Sequence, residues 1–250
     1  DVFTIGASTY AIVTAVGYDD GVQIIDISDP TDIIALDTLY DGISEHVLVL
    51  DGPVGVDTFT IGTKTYAIVV AMHEPGGVVS AGVQMIDISD PTDIVALDSA
   101  RDGDPGFDFL ASPQDVDVFT IGASTYAIVT SSGDYGAQII DVSDPTDIVA
   151  KDGIQRNAEF PVFYVPHNAD TFTIDSSTYA IISARNDHGV QVIDISDTTN
   201  MVGADSAVNG VNGFTALQDA VHVETFTMGL TTYALVSSFT TGNLQLIQLS

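Results

Sequence analysis

Hydrophobic and polar positions along the chain fall into one pattern written five times. In its clearest copy, polar and apolar residues alternate through VDTFTI (56–61), a period of two that suits a strand with two unlike faces. After Gly62-Thr63-Lys64 comes TYAIVV (65–70), almost unbroken in its hydrophobicity, and then VQMIDIS (83–89). Asp-Pro-Thr-Asp at 90–93 supplies a turn into a last short strand, DIVALD (93–98). Runs of Val, Ile, Thr, Tyr and Phe punctuated by Gly, Pro and Asp predict β-structure. No window sustains the 3.6-residue apolar period of a helix.

The copies are close. DVFTIGASTYAIVT stands at 1–14 and again, unchanged, at 117–130, with looser versions at 57–70, 170–183 and 224–237. Their tyrosines, Tyr10, Tyr66, Tyr126, Tyr179 and Tyr233, set a period of 53 to 60 residues. Four short strands per period of that length predict an all-β, five-bladed β-propeller of four-stranded antiparallel blades in one domain over 1–250. The repeats run approximately 1–56, 57–116, 117–169, 170–223 and 224–250. The last ends in LQLIQLS, so the fifth blade lacks its outer strand and leaves an unpaired edge at Leu244–Leu249, open to strand pairing with a partner. Closure of the five blades into a ring is expected. Because residue 1 falls inside a repeat, a segment upstream of Asp1 is expected too.

The block VQIIDISDPT resembles the LVIVD repeat family of bacterial and archaeal surface proteins, strongly in four copies and weakly in the fifth. That resemblance implies a propeller and an extracellular or cell-surface setting; it supplies no shared catalytic residues. The chain departs from the pattern at Asp197-Thr198-Thr199, where Asp-Pro-Thr is expected, and at Gln248, where the strand aspartate should stand.

Charge narrows the partners. Against 35 acidic residues stand five basic ones, for a net charge of −30, which repels nucleic acid and anionic membrane. The longest apolar runs are far shorter than the roughly 20 residues a spanning helix needs, so no membrane insertion is expected. With no cysteine, disulfides and thiolate metal sites are excluded. Protein or glycan ligands remain.

Most of the acids recur with the turns. Asp26, Asp87, Asp141 and Asp194 lie in the third strand, and Asp29, Asp90, Asp144 and Asp197 open the turn. Asp37, Asp98, Asp152 and Asp205 end the outer strand. Asx residues of this kind bond nearby backbone and need no ligand. A further set, Asp1, Asp57, Asp117, Asp170 and Glu224, stands two residues before the strand phenylalanine. Placed at the start of the inner strands, these five would ring one end of the channel. There they either recruit calcium or another divalent cation, or bond a neighbour's amides.

His46, His73, His167, His188 and His222 all fall in loops expected on the face opposite the DISDP turns. Histidine is both the neutral-pH acid–base group and a common metal ligand, so these five, with Asn168, are the candidate ligand contacts. His167 and His222 are placed at the channel mouth near Asp170 and Glu224. The connectors between blades, GFDFLASPQDV, EFPVFYVPHNA and GFTALQDAVHV, add aromatic residues there, and Tyr18, Phe160 and Tyr164 could stack on sugars.

No nucleophile elbow, zinc helix, phosphate loop or dinucleotide fingerprint is present. Asp102, Asp104 and Asp108 only faintly resemble a calcium loop. The leading expectation is a secreted or surface binding and scaffold module. The alternatives are a metal-assisted or carboxylate-driven hydrolase or lyase acting at the histidine face, and a purely structural envelope or filament unit.

Overall fold

The computed structural model describes residues 1–17, 20–41, 49–72 and 81–250. Its strands form five antiparallel sheets, each built from one repeat in chain order from inner to outer strand. The first blade holds β1 (Val2–Ile5), β2 (Ser8–Ala15), β3 (Gly21–Asp26) and β4 (Ile34–Tyr40). The second holds β5 (Pro53–Ile61), β6 (Lys64–Ala71), β7 (Gly82–Asp87) and β8 (Val95–Arg101). The third comprises β9 (Pro113–Ile121), β10 (Ser124–Ser131), β11 (Gly136–Asp141) and β12 (Val149–Gln155). The fourth comprises β13 (Pro166–Ile174), β14 (Ser177–Ala184), β15 (Gly189–Asp194) and β16 (Val202–Val208). The fifth has three strands, β17 (Ala220–Met228), β18 (Thr231–Ser238) and β19 (Leu244–Gln248).

The four four-stranded blades repeat the same local chemistry. Asp26, Asp87, Asp141 and Asp194 accept the amide of the serine two residues on, and that serine's hydroxyl takes the amide opening the second strand. Asp29, Asp90, Asp144 and Asp197 accept both the amide and the hydroxyl of the following threonine. Thr199 keeps the bond although Thr198 replaces proline, because the Asx turn uses no proline atom. Phenylalanine and tyrosine pair across the first two strands of every blade at 5.5–5.8 Å between ring centres.

The core lies between blades, which is why the second strand is apolar on both faces. Four clusters span the successive interfaces, exemplified by Ile12 with Ile86, Met85 with Ile140, Ile128 with Ile193, and Ile181 with Val236. Burying each such side chain contributes about 1.5–3 kcal/mol.

Two tiers of aspartate clasp the blades as well. In the outer tier, Asp37, Asp98 and Asp152 each turn Oδ1 to the next amide of their own strand. Their Oδ2 atoms receive the amides of Ile94, Ile148 and Met201 in the following blade, at 2.7–2.8 Å. These aspartates sit inside the outer strands and not at their ends, and they join blades where local turn bonding was expected. In the inner tier, Asp57, Asp117 and Asp170 accept the amides of Val118, Thr171 and Thr225 in the same sense.

No apolar cluster joins the fifth blade to the first among the described residues. Val13 is 46% exposed where its third-blade counterpart Val129 is 0%, and Leu235 is 37% exposed where its fourth-blade counterpart Ile181 is 0%. Ile33 is 65% exposed, whereas Ile148 is 6%. The five blades expected from the repeat are present; among the described residues no core seals the expected closure.

Candidate functional site

The inner strands begin four residues before the repeated carboxylate, at Pro53, Pro113, Pro166 and Ala220. Proline fits there, since the first residue of a strand can lack a ladder donor. Each of these strands is entered through a left-handed residue: Gly52 (φ 67°), Ser112 (φ 50°), Val165 (φ 60°) and Asp219 (φ 51°). Each then carries a pairing irregularity, between Pro53 and Gly55, Pro166 and Ala169, Ala220 and His222, and opposite Thr130 and Ser131 for β9. A bulge of this kind re-aims side chains out of strand alternation. His167, Asn168 and His222 therefore lie within β13 and β17, not in loops before them, and Asp57, Asp117 and Asp170 lie in mid-strand, not at the strand start.

The bulged segments of β9, β13 and β17 converge at the inner-strand entries of the third, fourth and fifth blades. Gln114, Asp115, His167, Asn168, Val221 and His222 line a cavity of about 260 Å³. Asn168 is its keystone: Nδ2 donates to Asp115 Oδ2 at 2.5 Å, and Oδ1 accepts the Val223 amide at 2.7 Å, tying three blades together. Both ends of that amide are occupied, so Asn168 positions the site more than it offers itself to a ligand. Asp115 Oδ2 also takes the Ala169 amide at 3.1 Å. Gln114 Nε2 is anchored on the Ser112 carbonyl and Ser132 Oγ, both at 3.1 Å. The ring of His167 reaches the Val221 backbone, and His222 is exposed.

Electrostatics set the protonation states. Burial pushes the Asp115 carboxyl up to about 7, aided by the charge of Asp57 and opposed by amide and Asn168 donors. Asp117 is pushed up to about 8, first by burial and then by the charges of Asp57 and Asp170, against the pull of Thr171. Asp57 is raised by the same loss of water. His167 is lowered by burial and by the neighbouring Arg185 and His222, and so is neutral at pH 7. The cavity thus offers a carboxyl that titrates near neutrality beside a neutral imidazole, able to donate or accept with little change in pH.

The other candidates separate from this cluster. His188 lies at the same end but serves a different purpose: Nδ1 accepts the Asp219 amide at 3.0 Å and sits 3.1 Å from Asp219 Oδ1, holding the loop after β14 to the entry of β17. It occupies the left-handed position (φ 55°) that Tyr135 (φ 53°) fills in the third blade. His46, His73 and Tyr18 lie outside the described residues. Of the five carboxylates proposed as cation ligands, Asp57, Asp117 and Asp170 are bonded to backbone amides, and Asp1 accepts Thr58 Oγ1 at 2.6 Å. Glu224 is exposed. Among the described residues no three acidic or histidine side chains converge to hold a metal.

Sequence reasoning missed Gln114, Asp115 and Arg185. For Gln114 and Asp115 the usable signal was the recurring proline four residues before the carboxylate, which extends the inner strand back to them; Arg185, in the loop after β14, carried none.

No family model and no curated protein matches the chain. Solved structures do. A protein from Lactobacillus plantarum superposes with a TM-score of 0.63 at 16% identity, covering 99% of this chain and 69% of that one. The Aleuria aurantia lectin in complex with α-methyl-L-fucoside gives 0.61 at 9% identity over 99% and 72%. A thermostable family-43 glycoside hydrolase gives 0.57 at 11% over 100% and 88%. At such identities the likeness establishes a shared β-propeller architecture and nothing finer.

Proposed function

We propose that the protein is a surface-displayed or secreted propeller that binds a neutral carbohydrate at the channel mouth. The observation that carries the reading is the convergence of Gln114, Asp115, His167 and His222 from three successive blades on one cavity. Its volume, about 260 Å³, lies just under the roughly 300–1,000 Å³ of drug-sized sites and suits one small polar ring. Mixed donors and acceptors suit hydroxyl groups. Exposed aromatic surface borders the same end: Phe239 beneath the Arg185 guanidinium at 5.0 Å, and Tyr135 against Tyr164 at 4.8 Å. The net charge of −30 disfavours sialylated or uronic glycans. The lectin and glycoside hydrolase among the similar structures lend support by analogy of fold alone. The acidity and the LVIVD-like blocks support display outside the cell.

The test is a titration of neutral monosaccharides, with uronic acids as the contrast, followed by chemical-shift perturbation. Binding that is lost in His167→Ala/His222→Ala, with melting unchanged, supports the reading; binding that survives the double substitution, or no binding by any neutral sugar, overturns it. A hydrolase is the second reading, favoured by Asp115 at about 7 beside His167. It requires turnover of aryl glycosides that disappears in Asp115→Asn.

A further inference from the structure

A groove of about 380 Å³ lies between the fourth and fifth blades and shares no lining residue with the cavity at Asn168. It is bounded by Phe172, Ile181 and Val192 of the fourth blade, by Asp205 of its outer strand, and by Ile247 and Leu249 of the fifth. In the first three interfaces the corresponding space is filled by the turn and outer strand of the following blade. Ile94, Ile148 and Met201 are buried there, and Ala96 and Ala150 pack alongside the first two. Among the described residues no strand pairs with the outer side of β19, which presents an edge beside this groove.

Two polar groups are left over in the same place. Asp205 repeats Asp37, Asp98 and Asp152: its Oδ1 accepts the Ser206 amide at 2.8 Å, yet among the described residues no donor reaches its Oδ2. Gln245 repeats Gln84 and Gln191, which use Nε2 to hold both a strand carbonyl and the carbonyl of the outer-strand aspartate, Asp98 or Asp205. Gln245 makes the first bond, to Leu246, and lacks the second. An apolar slot, an unfilled acceptor, an unfilled donor and a free strand edge therefore coincide, each with a filled counterpart elsewhere in the chain.

We propose that this groove is a docking site for an extended segment of the repeat's own outer-strand type, Ser-Asp-Pro-Thr-Asp-Ile-Val-Ala-Leu-Asp-Ser, added antiparallel to β19. Its isoleucine amide donates to Asp205 Oδ2, its isoleucine side chain enters the groove, and the carbonyl of its second-last residue, aspartate, accepts Gln245 Nε2. The register follows from β7 and β8, where Asp87 faces Val95 and Ile86 faces Ala96. On β19 the valine and alanine accordingly oppose Gln248 and Ile247. The segment must leave the edge after its final serine. Gly21, Gly82, Gly136 and Gly189 allow an outer-strand carbonyl to rest on their Cα atoms, and a Cβ there would collide with it. The fifth blade has Asn243 at that position, aligned by its pairing beside Ser238.

The test uses the 250-residue protein and a synthetic peptide of residues 89–99, followed by calorimetry and by amide exchange. Saturable one-to-one binding is expected, with slowed exchange at Leu244, Leu246 and Gln248. Asp205→Ala, which removes an exposed side chain, should weaken it about tenfold, as loss of one bond to a charged group does. Replacing the peptide's Ile94 equivalent by aspartate should abolish it. Extension of the peptide to Arg101 should add nothing until Asn243→Gly is made, and should then tighten binding. Absence of saturable binding, indifference to both Asp205→Ala and the isoleucine change, or self-association through β19 that excludes the peptide would each overturn the assignment.

Discussion

Asp98→Ala is the sharpest probe of how the blades are held together. The side chain carries two bonds, to the Ser99 amide in its own strand at 2.9 Å and to the Ile148 amide of the next blade at 2.8 Å. The first is short-range and is readily replaced by water at a half-exposed position. The second crosses the interface beside buried Ile148, so its loss leaves an amide with little access to solvent. A hydrogen bond to a charged group is worth about 1.5–3 kcal/mol. For a chain of this length each kcal/mol moves the melting temperature by about 2–4 °C, so a fall of roughly 3–12 °C is expected. Asp205→Ala removes the same residue from the same repeat position, where only the local bond exists, and should leave the melt nearly unmoved. The assay is thermal unfolding by circular dichroism at pH 7 for both variants and the parent. Equal falls would show that the local bond matters and the clasp does not; two unmoved melts would show that the clasp is inert. Either outcome refutes the reasoning.

Stability should rise as pH falls from about 8 to 5. Asp57, Asp115 and Asp117 have folded-state pKa values raised above those of the unfolded chain, so in this window the folded state holds more protons; stability is lost as pH climbs to about 7 for Asp115 and about 8 for Asp117. Relief of the overall charge acts in the same direction, and Asp117→Asn, which should flatten the dependence, separates the two in melts across pH. Below the ordinary carboxylate range the trend should reverse, because the turn aspartates Asp26, Asp29, Asp90, Asp144 and Asp197 are lowered by their serine and threonine partners. Gly82→Ala should cost about 1–3 kcal/mol by denaturant unfolding, since its Cβ would meet the Ala100 carbonyl and lie 2.9 Å from the Arg101 Cα. Millimolar calcium at matched ionic strength should shift the melt by less than about 2 °C, because the inner-tier carboxylates already serve backbone amides; a larger shift would restore them as cation ligands.

The strands that repeat were legible because packing on both faces demands the same residues each time: TYAIVV and its relatives can be read as doubly buried without coordinates. The Asx turns were legible for a similar reason, their bonds being local in sequence. The clasps were visible only as recurring aspartates, since an amide 50 or 60 residues away in the next blade leaves no mark near the carboxylate. The channel mouth was the least legible part. Its four strand entries share a left-handed residue, yet Gly52, Ser112, Val165 and Asp219 have no side-chain property in common and only the glycine advertises that backbone. The positions that follow in the third, fourth and fifth blades, Asp115, Asn168 and His222, differ because they meet in one asymmetric cavity and not in a repeated interface. Variation that reads as connector in the sequence is, on the proposed function, the diversity of a binding site.

The clasps also give the chain a direction. Every complete unit brings an acceptor for the unit after it and an amide for the unit before it, so adding or deleting whole units never strands a mismatched pair. Residues 1–14 and 117–130 are identical, and recombination between their coding stretches would change a chain by two blades at a stroke. Each product would inherit a full set of joints, with only the two outermost faces left to find a match. The number of blades is in this sense a quantity the architecture can count up or down without redesign, while the channel mouth, whose residues differ in every unit, would be rebuilt at each step.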